Sequence, residues 1–180
     1  MIFLHVLNSF DFSSAFSFKE EKPSALASII QPEIGIFSNL GDAHAEGFSS
    51  LKEKAEEKSK LFKTCKKIIY CSDHLLINET LTSLYSKDQL ITWGQSSGHY
   101  SISYLSEESK TAIVIESPDI KQTFYTQLLD NGSLENITHC LIFCLEYDLT
   151  PSQIQYGLDL LTPISMRMEI KEGVNANLIN

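Results

Sequence analysis

The chain has 180 residues, 43% of them hydrophobic, which is enough to bury one good core and few enough for a single domain. Its formal net charge of −9 offers no basic patch for counterion release, which argues against a nucleic-acid partner. No stretch reaches the ~18 apolar residues that span a membrane, and Met1 to Phe18, though phenylalanine-rich, is broken by Asn8, Ser9, Asp11, Ser13 and Ser14 and lacks the positive start of a signal peptide.

A helix is predicted from about Ser24 to Ile30, followed by a short buried strand over Ile34 to Phe37. That strand opens into a polar loop holding Asn39, Asp42 and His44. In open α/β sheets, ligands bind beyond the carboxyl ends of strands, so a histidine in this loop is a candidate metal or phosphate ligand.

The next helix begins at Ser50, where Ser50 and Glu53 read as a capping box. Leu51, Ala55, Lys58 and Phe62 follow a 4, 3, 4 spacing and share one stripe, with Glu53, Glu56, Glu57 and Lys60 on the other faces. Lys58 is therefore a lysine centred on an apolar stripe. Either its stem packs and its head escapes to water, or burial favours the neutral, nucleophilic amine.

Further along, Lys67 to Cys71 reads as a buried strand, Leu75 to Tyr85 as a helix and Leu90 to Trp93 as a short strand. Tyr100 to Leu105, Ala112 to Glu116 and Gln122 to Leu128 have strand composition, with turns at Ser106 to Ser109 and Ser117 to Asp119. These three are expected to form a separate antiparallel meander. Two helices follow, near Leu134 to Tyr147 and Pro151 to Leu160, with Pro151 suited to a helix start. The expected fold class is α/β, a mainly parallel sheet flanked by helices with an added antiparallel meander. Cys65, Cys71, Cys140 and Cys144 have no Cys-x-x-Cys spacing. Cys140 and Cys144, one turn apart on an apolar helix, suggest buried free thiols in a reducing, cytoplasmic compartment.

Pro32 to Phe62 resembles the central, ATP-binding domain of the Mur ligase family. There a strand ends in Thr-Asn or a similar pair, a loop carries a histidine, and a helix carries Glu/Ala-Lys before an aromatic. Ser38-Asn39, His44, and Lys58 with Phe62 occupy those places. The run Ile36 to His44 is most similar to members that add D-alanyl-D-alanine to UDP-N-acetylmuramoyl-tripeptide, including a bacterial form fused to alanine racemase.

The resemblance implies that Lys58 forms a carbamate with carbon dioxide and supports a magnesium ion, with His44 as a direct ligand. An anionic carbamate oxygen suits magnesium better than a histidine does. It also implies ATP as cofactor, UDP-MurNAc-peptide and D-Ala-D-Ala as substrates, and Asn39 near the nucleotide.

Two further segments carry it. Ser133 to Cys140 resembles the family's His-Asn-x-x-Asn helix start, whose asparagines lie near adenine. Asn136 matches the first asparagine and His139 replaces the second; by itself Asn136 also reads as a helix cap. Pro163 to Ile170 resembles the hinge to the C-terminal domain, where an arginine approaches the phosphates. Arg167, the only arginine of the chain, takes that place, although an exposed arginine on a strand edge would look the same.

No Gly-x-x-x-x-Gly-Lys-Ser/Thr loop occurs, and no glycine precedes a lysine. Asp11 to Phe18 does not spell the family's acidic metal motif. The resemblance divides the chain into an unassigned segment 1–22, a partial central domain 23–163, and the hinge with the first strand of a C-terminal domain, 164–180. The chain by itself is then expected to be inactive, with Lys58 unmodified. A non-catalytic module of the same fold and a folylpolyglutamate synthetase are the alternatives.

Overall fold

A computed structural model describes residues 31–40, 50–161, 171–172 and 178–179. Six strands form one mixed sheet in chain order: β1 (Ile34–Phe37), β2 (Lys67–Cys71), β3 (Leu90–Gly94), β4 (Tyr100–Ser106), β5 (Thr111–Glu116) and β6 (Lys121–Thr126). The helices are α1 (Leu51–Ser59), continued by a 3₁₀ turn over Lys60–Phe62, then α2 (Leu75–Leu84), α3 (Asn131–Glu146) and α4 (Pro151–Asp159). A two-stranded antiparallel pair, β7 (Lys171–Glu172) with β8 (Leu178–Ile179), stands apart from this sheet. The helix expected over Ser24 to Ile30 lies outside the described residues.

The β1–β2 and β2–β3 pairs are parallel, and α1 and α2 lie in the connections that parallel pairing needs. Both faces of β2 are covered, which is why its sequence is continuously apolar instead of alternating. Ile68 and Tyr70 pack with Phe37, Phe62, Ile77 and Leu81 beneath α1 and α2. Ile69 and Cys71 point the other way, into a larger core with Trp93, Ile113, Ile137, Leu141 and Ile154 beneath α3 and α4. All four cysteines are buried free thiols, as the one-turn spacing of Cys140 and Cys144 suggested for that pair.

The meander is not a separate piece. β4 pairs with β3 in parallel, Trp93 opposite Tyr100 and Gly94 opposite Ser101, before β5 and β6 pair antiparallel. Only five residues join β3 to β4, far fewer than a helical crossover uses. The chain manages this because β4 overlaps only the last two residues of β3 and then runs on past its carboxyl end. Gly98 makes the tight return possible: its φ is +144, and a Cβ there would lie 2.9 Å from the Trp93 backbone. Side chains tie the loop down. Asp73 accepts the backbone N–H of Gln95 at 2.6 Å, and Thr92 accepts that of His99 at 2.9 Å.

β6 ends at Thr126, two residues short of the expected Leu128. Its outer edge meets α4, where the Gln155 amide accepts the Tyr125 N–H and donates to the Tyr125 carbonyl, both at 2.9 Å. α4 itself begins with a capping box between Thr150 and Gln153, and with Pro151 in the first turn as anticipated.

Candidate functional site at the carboxyl ends of the parallel strands

The carboxyl ends of β1, β2 and β3 deliver three short polar segments to one edge of the sheet: Ser38-Asn39, Ser72-Asp73-His74 and Gln95 to Ser97. Two of them are welded together, since the Ser72 hydroxyl donates to the Ser97 carbonyl at 2.5 Å and the Asp73 carboxylate holds two backbone N–H groups of the β3–β4 loop. Rigid backbone at this edge is what a ligand site in an open α/β sheet requires.

α3 lies on one side of this edge. Its N-cap is Asp130, whose carboxylate accepts the Ser133 N–H at 2.8 Å. The capping role open to Asn136 therefore falls to Asp130, and Asn136 sits in the second turn with an exposed side chain. Glu135 meets His74 of the β2 end at 2.8 Å. One turn on, His139 is only 2% exposed and accepts the Trp93 indole N–H on Nδ1 at 2.9 Å. Burial pushes the His139 imidazole down to about 3, against the pull of the Ser38 backbone and with further lowering from His74.

Lys58 lies on the opposite side of the sheet, on α1. Ser50 caps this helix as expected, its Oγ accepting the Glu53 N–H at 3.1 Å. The predicted stripe is only partly buried. Ala55 and Phe62 are enclosed, whereas Leu51 in the first turn is 48% exposed. The enclosed lysine is Lys54, at 2% exposure, and Lys58 is half-buried. Burial, and then the charge of Lys54 one turn away, hold the Lys58 ammonium below the ordinary lysine range. Phe62 packs on Gly35 of β1. Lys58 stands one turn before Phe62, about 6 Å from it along the helix axis.

Of the site residues expected from sequence, Asn39, Lys58 and Asn136 are described, while His44 and Arg167 lie outside the described residues. Asn39 and Asn136 are both exposed, at the end of β1 and on α3. Lys58 lies on α1, on the other face of the sheet. Among the described residues, no three His, Cys, Asp or Glu side chains converge to hold a metal ion. Likewise, no described helix is long and apolar enough to cross a membrane.

Sequence reasoning passed over Trp93, Asp73, His74, Glu135 and Lys54. The available signals were Ser72-Asp73-His74 following a buried strand, as Ser38-Asn39 does, and a second lysine four residues before Lys58.

Comparison with known families matches residues 15–144 to the Mur ligase middle domain. Comparison with curated proteins finds no match. Among solved structures, the chain is similar to MurF from Acinetobacter baumannii, with a TM-score of 0.67 at 16% identity over 85% of this chain and 34% of that one. It is also similar to the MurF ligase from Thermotoga maritima in complex with ADP, with a TM-score of 0.66 at 20% identity over 83% and 35% of the two chains. A variant of L. casei FPGS gives a TM-score of 0.57 at 14% identity, covering 83% of this chain and 39% of that one. At such identities the likeness concerns the fold, and the chain spans little more than a third of each of these structures.

Proposed function

The chain belongs to the Mur ligase middle-domain family, and from that premise we propose that it is the nucleotide-binding portion of an ATP-dependent, ADP-forming amide ligase of peptidoglycan precursor synthesis. The observation that carries this reading is Lys58: half-buried on α1, the helix whose continuation packs Phe62 on Gly35 of β1, with its ammonium destabilised by burial and by Lys54. A neutral amine is the form that adds to carbon dioxide, and the carbamate so formed is anionic. The solved relatives named MurF favour a D-alanyl-D-alanine ligase acting on UDP-MurNAc-tripeptide.

In that reaction a substrate carboxylate attacks the γ-phosphorus of ATP, giving an acyl phosphate and ADP. The incoming amine then attacks the acyl carbon, phosphate leaves with the bonding pair, and the amine loses a proton as the amide forms. Asn39 and Asn136 would contact the nucleotide from the β1 end and from α3. Arg167 would neutralise phosphate charge. Lys58, as its carbamate, and His44 would hold a magnesium ion, which when bound screens the charge of the phosphates. The described residues build no such cage by themselves, and no step here is routed through the ion.

No phosphate-cradling Gly-x-x-x-x-Gly-Lys-Ser/Thr run is present in the sequence. The chain alone is accordingly proposed not to turn over ATP, and robust magnesium-dependent hydrolysis by the purified 180-residue protein would overturn that. In a full-length ligase carrying this segment, Lys58→Ala is expected to abolish ligation while leaving the circular-dichroism spectrum and unfolding midpoint in place. Near-normal ligation by that variant would remove the assignment.

A further inference from the structure

Among the described residues β6 is the last strand of the six-stranded sheet, so one side of its backbone has no strand beside it. The hairpin decides which groups face that side. Ser117 and Ile120 exchange backbone hydrogen bonds across the turn, at 2.8 and 3.4 Å. Along the antiparallel register from that pair, Gln122, Phe124 and Thr126 turn their N–H and C=O toward β5. Lys121, Thr123 and Tyr125 turn theirs outward, and all three residues are exposed.

The strand Lys-Gln-Thr-Phe-Tyr-Thr is rich in strand formers and has no proline, glycine or acidic residue, a composition that readily accepts a further strand. It is also complementary to itself. Laid antiparallel to its own copy about Thr123, it sets Thr123 opposite Thr123 and Lys121 opposite Tyr125. No like charges then face each other, and each ammonium meets an aromatic ring.

One outward residue is already occupied. The Gln155 amide of α4 accepts the Tyr125 N–H and donates to the Tyr125 carbonyl, each at 2.9 Å. A neighbouring strand would make the same two bonds. The other amide hydrogen of Gln155 goes to Asp159 Oδ1 at 2.7 Å, so a flipped amide would lose all of these contacts. Ile154 and Leu158, at 0% and 1% exposure, anchor α4 in the core on either side of Gln155.

We propose that Gln155 guards the β6 edge, its amide standing where a second copy of this chain would add its own β6. In the symmetric pairing, Tyr125 of each copy forms one end of the joint. One glutamine per copy therefore withdraws both ends and leaves only the central Thr123 pair. The guard is independent of the nucleotide reading.

Amide exchange and sedimentation of the 180-residue protein test this. In the parent, the Tyr125 amide should exchange at least about tenfold more slowly than those of Lys121 and Thr123, once intrinsic rates are divided out. Gln155→Ala should lose that protection in dilute solution. As its concentration rises it should shift from monomer to dimer, with the Thr123 amide becoming protected. Adding Thr123→Pro removes an outward N–H without touching the β5 pairing, and should return the variant to monomer. A Gln155→Ala protein no more associated than the parent over the same concentrations, or a dimer that persists with Thr123→Pro, would overturn the proposal. Should Gln155→Ala fail to fold, exchange in the parent decides: equal rates at Tyr125 and Thr123 would show that nothing guards the edge.

Discussion

The Phe62 ring lies directly over Gly35, so closely that a methyl group on Gly35 would overlap it. This contact sets how near the 3₁₀ turn that continues α1 sits to β1. Gly35→Ala is expected to destabilise the fold by about 1–3 kcal/mol, the usual cost of an overpacked contact. Combining it with Phe62→Leu should cost less than the sum of the two single changes. Urea unfolding of the four proteins measures the coupling, and strict additivity would show that the two residues do not press on each other.

His139 makes the fold sensitive to mild acid. In the unfolded chain its imidazole takes up a proton near pH 6.5, whereas burial in the native state delays uptake to about 3. Between those values the unfolded chain binds the additional proton. Stability is therefore whole above the unfolded value and falls as pH drops toward the folded one. Lowering the pH from about 7 to about 5 should remove roughly 2 kcal/mol through this residue alone. The same acid step should cost His139→Gln less by that amount, as read by urea midpoints at the two pH values.

Asp130 and Asn136 separate stability from binding. Asp130→Ala removes a helix cap and should cost about 1 kcal/mol of stability. Asn136→Ala removes an exposed side chain in the second turn and should change stability by less than about 0.5 kcal/mol. If Asn136 contacts adenine, its loss should instead weaken ATP-analogue binding to a full-length ligase carrying this segment, as isothermal titration would measure.

Lys54 is expected to tune Lys58. Lys54→Met removes the nearby positive charge and should raise the Lys58 titration, though not to the ordinary lysine value, because burial is the larger cause and stays in place. A pH titration of the ¹³Cε signals measures this. A downward shift, or full return to the ordinary value, would contradict the order of causes.

Much of the architecture could be read from local pattern, because apolar runs bounded by turns report burial directly. Lys67–Cys71 forms the expected strand residue for residue, Leu75–Leu84 and Pro151–Asp159 the expected helices, and the cysteines are free and buried. Two stretches misled for physical reasons. Leu51 satisfies the helical spacing, but spacing cannot say where along the stripe the neighbours stop, and its turn is left largely uncovered. The meander looked separate because nothing in Gln95 to His99 advertises a parallel pairing, which depends on Gly98, Asp73 and Thr92 closing a loop in space.

The division runs the same way at the candidate site. Ser38-Asn39, His44 and Lys58 stand at spacings that local sequence alone specifies, so their resemblance to a ligase family was visible without coordinates. That Lys54 rather than Lys58 is the enclosed lysine, that Asp130 caps α3, and that Trp93 reaches His139 and His74 reaches Glu135 follow only from packing. Each joins residues brought together by the sheet or by the way a helix rolls against it. Periodicity fixes which face of an element is apolar. Contacts between faces are decided by register and close approach, and those are properties of the assembled chain.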